Sequence, residues 1–188
     1  TTDRLVMGPA LTVPYRCNFA TDDQFALWNV IDANNDKYTW KRETTLAAAY
    51  YYYNEDGETG GDDWLVSSPI HLEKDKIYRL KFKLQSYDVG YPEKVAVHLG
   101  TGASVAEQTT LLGDYEIESN TFVEYKVILP ERLESGNYHI SFHCHSEPYM
   151  FILYVTDVLL EEVSEGVLSG VVTNGQTPLE GGSNHKRR

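Results

Sequence analysis

The chain has 188 residues and carries 28 Asp and Glu against 16 Lys and Arg, a formal net charge of −12. That balance repels a phosphate backbone or an anionic lipid surface, so neither nucleic acid nor membrane is an expected partner. No apolar run approaches the roughly 20 residues that span a bilayer, and Thr1-Thr2-Asp3-Arg4 has no signal-peptide character. The length suits one domain with overhangs: a lead-in over 1–15, a main domain over 16–164, and a linker into a following unit over 165–188. The last part points to a piece of a longer protein whose neighbouring domains are partners. Fourteen tyrosines and two methionines favour strands, because aromatic rings suit a pleated surface. Cys17 and Cys144 are expected as buried free thiols, with a single disulfide between them as the alternative.

In chain order, Gly8, Pro9 and Pro14 mark the lead-in. Cys17-Asn18-Phe19 reads as a first short strand. Thr21 can cap a short helix over Asp22 to Trp28, with Gln24 at the spacing of a capping box. Trp28 to Trp40 follows, a stretch with a tryptophan at each end and Asp32, Asn34 and Asp36 at alternate positions between them. Driving both indoles into a core would turn those oxygens toward one point. Thr44 to Tyr53 reads as a strand, and the acidic, glycine-rich Asn54 to Asp63 as a loop. Trp64 to Leu72 is a strand whose Pro69 favours an edge or bend.

Tyr78, Leu80, Phe82 and Leu84 alternate with Arg79, Lys81, Lys83 and Gln85, the pattern of a half-buried strand. Val95, Val97 and Leu99 continue the alternation. Leu111–Glu118 and Thr121–Leu129 read as a hairpin turning at Ser119-Asn120. Tyr138, Ile140, Phe142 and Cys144 face inward from the next strand, with His139, His143 and His145 on its other side. Met150 to Val163 is apolar almost throughout and belongs inside a sheet. Nine or so strands without a long amphipathic helix predict an all-β jelly-roll β-sandwich of two antiparallel sheets.

Asp32, Asn34 and Asp36 offer the hard oxygens of a calcium site; the plain alternative is a solvated turn, which the same residues favour. Glu43 stands twelfth from Asp32, as in a calcium-binding helix–loop–helix, but no amphipathic helices flank it and the sixth position lacks glycine. A second candidate joins Asn18 or Asp22 to Asp157 over one ion, if the first and last strands lie side by side; the alternative puts Asp157 at a strand edge in water. His139, His143 and His145 share a strand face that has the donors for zinc, or is simply polar. Tyr52, Tyr87 and Tyr91 with Trp64 would make an aromatic platform for sugar rings, unless core packing takes them. No nucleophile elbow, phosphate loop or His-Glu-x-x-His run occurs, and Asp62/Asp63 or Glu161/Glu162 on a strand would point to opposite faces, so no enzyme is expected.

Trp28-Asn29-Val30-Ile31-Asp32 through Trp40, then Asp62-Asp63-Trp64-Leu65-Val66-Ser67-Ser68-Pro69, Tyr138 to His143, and Leu153 to Val158 occur in an order that resembles the cleaved-adhesin and choice-of-anchor J domains. These are parts of bacterial secreted and surface proteins, including the haemagglutinin–adhesin regions of gingipains. The resemblance spans about residues 15–163. It implies a jelly roll, structural calcium, an extracellular or cell-surface place, and non-catalytic binding of a glycan or host surface protein; the alternatives are a spacer that presents neighbouring domains and an accessory carbohydrate-binding module of a glycan-active or proteolytic enzyme. Two positions depart from the pattern: Lys37 stands where glycine is common, and Thr156 where a second aspartate is. Leu168 to Gly181 resembles the opening strand and turn of a carboxypeptidase-regulatory-like unit.

Overall fold

The computed structural model describes residues 9–168. The strands are β1 (Tyr15–Cys17), β2 (Asn29–Asp32), β3 (Lys41–Glu43), β4 (Ala48–Tyr52), β5 (Asp63–Val66), β6 (Ile70–Leu72), β7 (Ile77–Ser86), β8 (Glu93–Gly100), β9 (Thr110–Ile117), β10 (Val123–Ile128), β11 (Gly136–Cys144) and β12 (Ile152–Val163). Two short helices, α1 (Asp22–Ala26) and α2 (Glu165–Leu168), complete the described part with a 3-10 turn at Val105–Glu107. The first sheet runs β10-β7-β12-β4-β3, with β1 also on β12. The second runs β2-β5-β11-β8-β9, with β6 also on β11. All strand pairs are antiparallel, and the two sheets face each other as a jelly-roll sandwich.

Alternation explains how each sheet turns a wet and a dry face. Along β7 every second residue is buried, from Tyr78 to Leu84. Its Phe82 meets Phe142 of the opposite sheet edge to face, with ring centroids 5.4 Å apart. Trp28 joins the same core, 5.9 Å from Phe142 and 5.4 Å from Phe19. Both tryptophans of the Trp28–Trp40 stretch are buried, and each finds an acceptor for its indole N–H: Tyr15 Oη for Trp28 and the Asp63 carbonyl for Trp40. Cys17 and Cys144 are buried free thiols.

Several sequence expectations need correction. The hairpin across Ser119-Asn120 does not form: β9 pairs β8 in one sheet and β10 pairs β7 in the other. The 118–122 link therefore crosses between sheets, which hydrophobic alternation cannot reveal because both strands pack on the same core. Trp64–Leu72 is two strands, broken at Ser67-Ser68-Pro69, where the Ser67 N–H and hydroxyl both bond to Ile140. Thr44–Tyr53 holds a turn before β4, with Ala47 at φ 47°. Val123, at the start of the edge strand β10, is exposed. At α1 the Gln24 N–H does bond Thr21 Oγ1, but the Gln24 side chain takes the Ala20 N–H instead of closing on Thr21. Of the segment resembling a following unit, only Leu168 is described, in α2; the rest lies outside the described residues.

Replacing Trp40 by Phe keeps a ring in the core but removes the bond to the Asp63 carbonyl. We expect a loss of about 1–3 kcal/mol in urea unfolding, with the fold retained.

Candidate functional site

At one rim of the sandwich, β2 and β5 run side by side with Asp32 opposite Asp63. Beyond Asp32 the chain makes a tight loop that the aspartates themselves hold. Asp32 accepts from the N–H groups of Asp36 (3.2 Å) and Lys37 (2.9 Å), and Asp36 accepts from the N–H of Tyr38 (2.9 Å). Asn35 and Lys37 adopt left-handed φ values of 57° and 74°, which closes the turn. Asparagine tolerates that region; a lysine pays roughly 1 kcal/mol for it, the strain a glycine there would avoid.

The loop places one carboxylate oxygen each of Asp32, Asp36 and Asp63 within 4.8 Å of one another. Calcium binds oxygens at about 2.3–2.6 Å, so oxygens opposed across one ion stand just under 5 Å apart, and the set fits that ion. Asp63 is fully buried, one of its oxygens takes the Asp62 N–H at 3.1 Å, and the other has no partner. Burial pushes its carboxyl up to about 7, against the pull of the nearby Thr39 hydroxyl and the Asp62 amide, while Asp32 and Asp36 push further the same way. A buried acid with a bare oxygen among two other acids lacks a positive charge.

Asn34, expected as a ligand, turns its amide nitrogen to Asp36 (3.3 Å) and to the Gly60 carbonyl (3.1 Å), while its Oδ1 accepts the Asp36 N–H at 3.3 Å. Asp63 joins Asp32 and Asp36 at the cluster. The signal for Asp63 was an acid inside the apolar run Asp63-Trp64-Leu65-Val66, all four of which are buried. Glu43 stays outside, accepting the Thr45 N–H at 2.8 Å.

The second metal candidate is already supplied with cations of the protein. Asp157 sits at a bulge in β12 with φ 49° and pairs with Lys83 at 2.8 Å. Asp22 pairs with Arg42 at 2.6 Å, and the Asn18 side chain accepts the Ala20 N–H. The neighbourhood itself was foreseen: β1 lies beside β12, and the Thr156 hydroxyl bonds to the carbonyls of Asn18 and Ala47.

Of the aromatic candidates, Tyr87 and Tyr91 come together with Tyr53, Tyr149 and Phe151 around an open pocket of about 220 Å³. Tyr52 adjoins it, 5.6 Å from Phe151 and 5.0 Å from Tyr53, and its hydroxyl is spent on Glu55 at 2.6 Å. Trp64 does not belong there. It is buried on the second sheet, stacked on His143 with ring centroids 4.0 Å apart. The histidines share that face but no common ligand point: His143 bonds Asp62 and His145 bonds Asp114, each at 2.7 Å, while His139 bonds the Ser67 carbonyl. Among the described residues the three aspartates form the only cluster with metal-ligand spacing.

Behind the pocket lies Glu93, which the sequence reading passed over. It is fully buried and accepts from the Ser146 hydroxyl and, at 2.7 Å, from the Phe151 N–H.

No protein-family model matches the chain, and no curated protein does. Solved structures do. The K1 cleaved adhesin domain of Lys-gingipain from Porphyromonas gingivalis W83 superposes with a TM-score of 0.65 at 20% identity, covering 80% of this chain and 98% of that one. The K3 domain of the same protein gives 0.61 at 19%, covering 78% and 95%. A Clostridium thermocellum xylanase 10B structure holding CBM22-1 and GH10 modules, complexed with xylohexaose, gives 0.56 at 11%, covering 81% of this chain and 28% of that one. The chain thus has the fold of the gingipain cleaved adhesin domains, and at these identities the likeness is one of fold.

Burial raises the Glu93 carboxyl to about 7 from 4.5, against its hydrogen bonds to Ser146 and Phe151. The folded state therefore holds this proton more tightly than the unfolded one. Its stabilising effect is complete below pH 4.5 and is lost as pH rises through 7. In chelator, Glu93→Gln should flatten part of the decline in urea midpoint over that window and be the more stable form above it. The gain has a ceiling of about 3 kcal/mol.

Proposed function

We propose that this domain is a non-catalytic, calcium-held binding module that attaches a larger extracellular protein to glycans. The reading is carried by one rim of the sandwich. There a buried Asp63 carboxylate with one unpartnered oxygen stands among two more acids, beside a group of rings left open to solvent. Asp32, Asp36 and Asp63 would hold the ion, whose charge offsets three carboxylates packed in a small volume. The calcium is structural and takes part in no reaction.

The likeness to adhesin domains and to a xylanase-linked module supports attachment as the role. The acidic surface argues for neutral ligands over nucleic acid, and no helix among the described residues is long and apolar enough to cross a membrane. A place outside the cytoplasm follows from the same reading, since calcium is plentiful there and glycans are exposed there.

Calcium at 100 times its dissociation constant should stabilise the domain by about 2.7 kcal/mol. For a chain of this size that is a rise in melting temperature of roughly 5–10 °C over chelator. Asp63→Asn keeps the side chain's shape and should abolish the rise; a wild-type curve indifferent to calcium would remove the ion from the account. Asn54 bonds Asp36 at 3.0 Å, Asn34 bonds Gly60, and the Gly61 N–H bonds the Ser146 carbonyl at 2.9 Å. Calcium should therefore slow amide exchange over 54–61 and 146–151 more than over the distant edge strand β10. Equal protection everywhere would reduce its effect to global stabilisation.

A further inference from the structure

The pocket lined by Tyr53, Tyr87, Tyr91, Tyr149 and Phe151 is built for a ligand of narrow chemical description. Tyr87, Tyr91 and Tyr149 are 52%, 46% and 63% exposed, although burying such rings is strongly favourable. The protein holds them out at a cost. Tyr149 lies at a left-handed φ of 67°, a strained conformation for a bulky residue. Gly57 opposite it is at φ 74°, and a Cβ there would fall 2.3 Å from the Tyr149 ring, so only glycine leaves the ring its position. Phe151 forms the apolar floor. It meets Tyr87 edge to face at 4.6 Å and is fixed from behind by Glu93.

Around that floor the hydroxyls of Tyr53, Tyr87, Tyr91 and Tyr149 have no hydrogen-bond partner among the described residues, and each can donate and accept. Among the described residues no cation lines the pocket. Lys94, which follows Glu93 in β8, is paired with Glu147 at 2.7 Å, and Asp88 uses a carboxylate oxygen for the Gly90 N–H within the loop that carries Tyr87 and Tyr91. The volume, about 220 Å³, is below the roughly 300–1,000 Å³ that encloses a drug-sized ligand. It seats one end of a ligand.

We infer that this pocket binds an uncharged sugar ring at a glycan terminus, laying the ring's C–H face on the aromatic floor and its hydroxyls against the phenol rim. This rests on the reading of the domain as a glycan-binding module. A pyranose offers an apolar face edged by hydroxyls, the complement of an apolar floor edged by phenols. Sialic and uronic acids would bring a carboxylate into a site without a cation on a chain of net charge −12. A lipid or apolar peptide would leave the four hydroxyls unpaired.

The test is a printed array carrying neutral gluco-, xylo-, manno- and galacto-configured oligosaccharides beside uronic- and sialic-acid glycans, probed with the whole chain in excess calcium. Calorimetric titration of the strongest binder follows. Neutral glycans should bind, acidic ones at least ten-fold more weakly, and Tyr87→Ala or Tyr91→Ala should each lower affinity ten-fold or more. Their melting temperatures should stay near wild type, because both rings are half exposed. Gly57→Ala, outside the lining, should weaken binding by displacing Tyr149. Neutral-glycan binding that survives both tyrosine substitutions would overturn the pocket and leave the glycan-binding role standing. A preference for acidic glycans would overturn the ligand class. An array with no neutral binder would overturn the inference and the role together.

Discussion

Asp63 is the residue on which the rim depends. It stands in β5 between β2 and β11, opposite Asp32 on one side and Cys144 on the other. Its carbonyl accepts the Trp40 indole N–H at 3.0 Å, and its carboxylate faces Asp32 and Asp36. The return of the chain from Trp28 to Trp40 is thus anchored twice on one buried residue, by a hydrogen bond in the core and by charge at its edge. A carboxyl so placed either keeps its proton near neutral pH or shares a cation, and a bare oxygen beside two other acids favours the cation.

From this point a buried polar seam runs across the end of the sandwich. Burial first, and then the proximity of Cys144, Asp63 and Glu93, holds the Tyr51 hydroxyl above its usual range, and among the described residues it has no hydrogen-bond partner. Cys144 Sγ meets the Ser146 hydroxyl, which bonds Glu93, which holds the Phe151 N–H. Outside the seam, Tyr38 stacks on Tyr52, and Tyr53 donates its N–H to the Phe151 carbonyl. The acid loop and the aromatic pocket are therefore two ends of one packed unit, built from segments far apart in sequence.

The opposite treatment of Asp157 in β12 and Asp22 in α1 shows how local context decides a carboxylate's role. Asp157 and Asp22 are exposed enough to reach Lys83 and Arg42, and those pairs cost little desolvation. Among the described residues Asp63 forms no ion pair with a basic side chain. The difference is one of burial and neighbours, and identical residue types in a sequence do not display it.

The sandwich itself was legible in the residues. Alternation along Tyr78–Leu84 and Tyr138–Cys144, the apolar run of β12 and the paired tryptophans each follow from the period of a strand and the drive to bury rings. Asp32 and Asp36 were legible too, since oxygens at alternate positions between two buried anchors must crowd together. The sequence by itself determined the kind of fold, its faces and the loop's acidic character, because these depend on neighbours a few residues apart. The tertiary structure decided that Asp63 comes within 4.8 Å of Asp32 and Asp36. It alone put Trp64 under His143 while gathering Tyr87, Tyr91, Tyr149 and Phe151, and it sent β9 and β10 to different sheets. Those outcomes depend on which strands lie side by side, a pairing set by the packing of the whole core and written in no single stretch of chain.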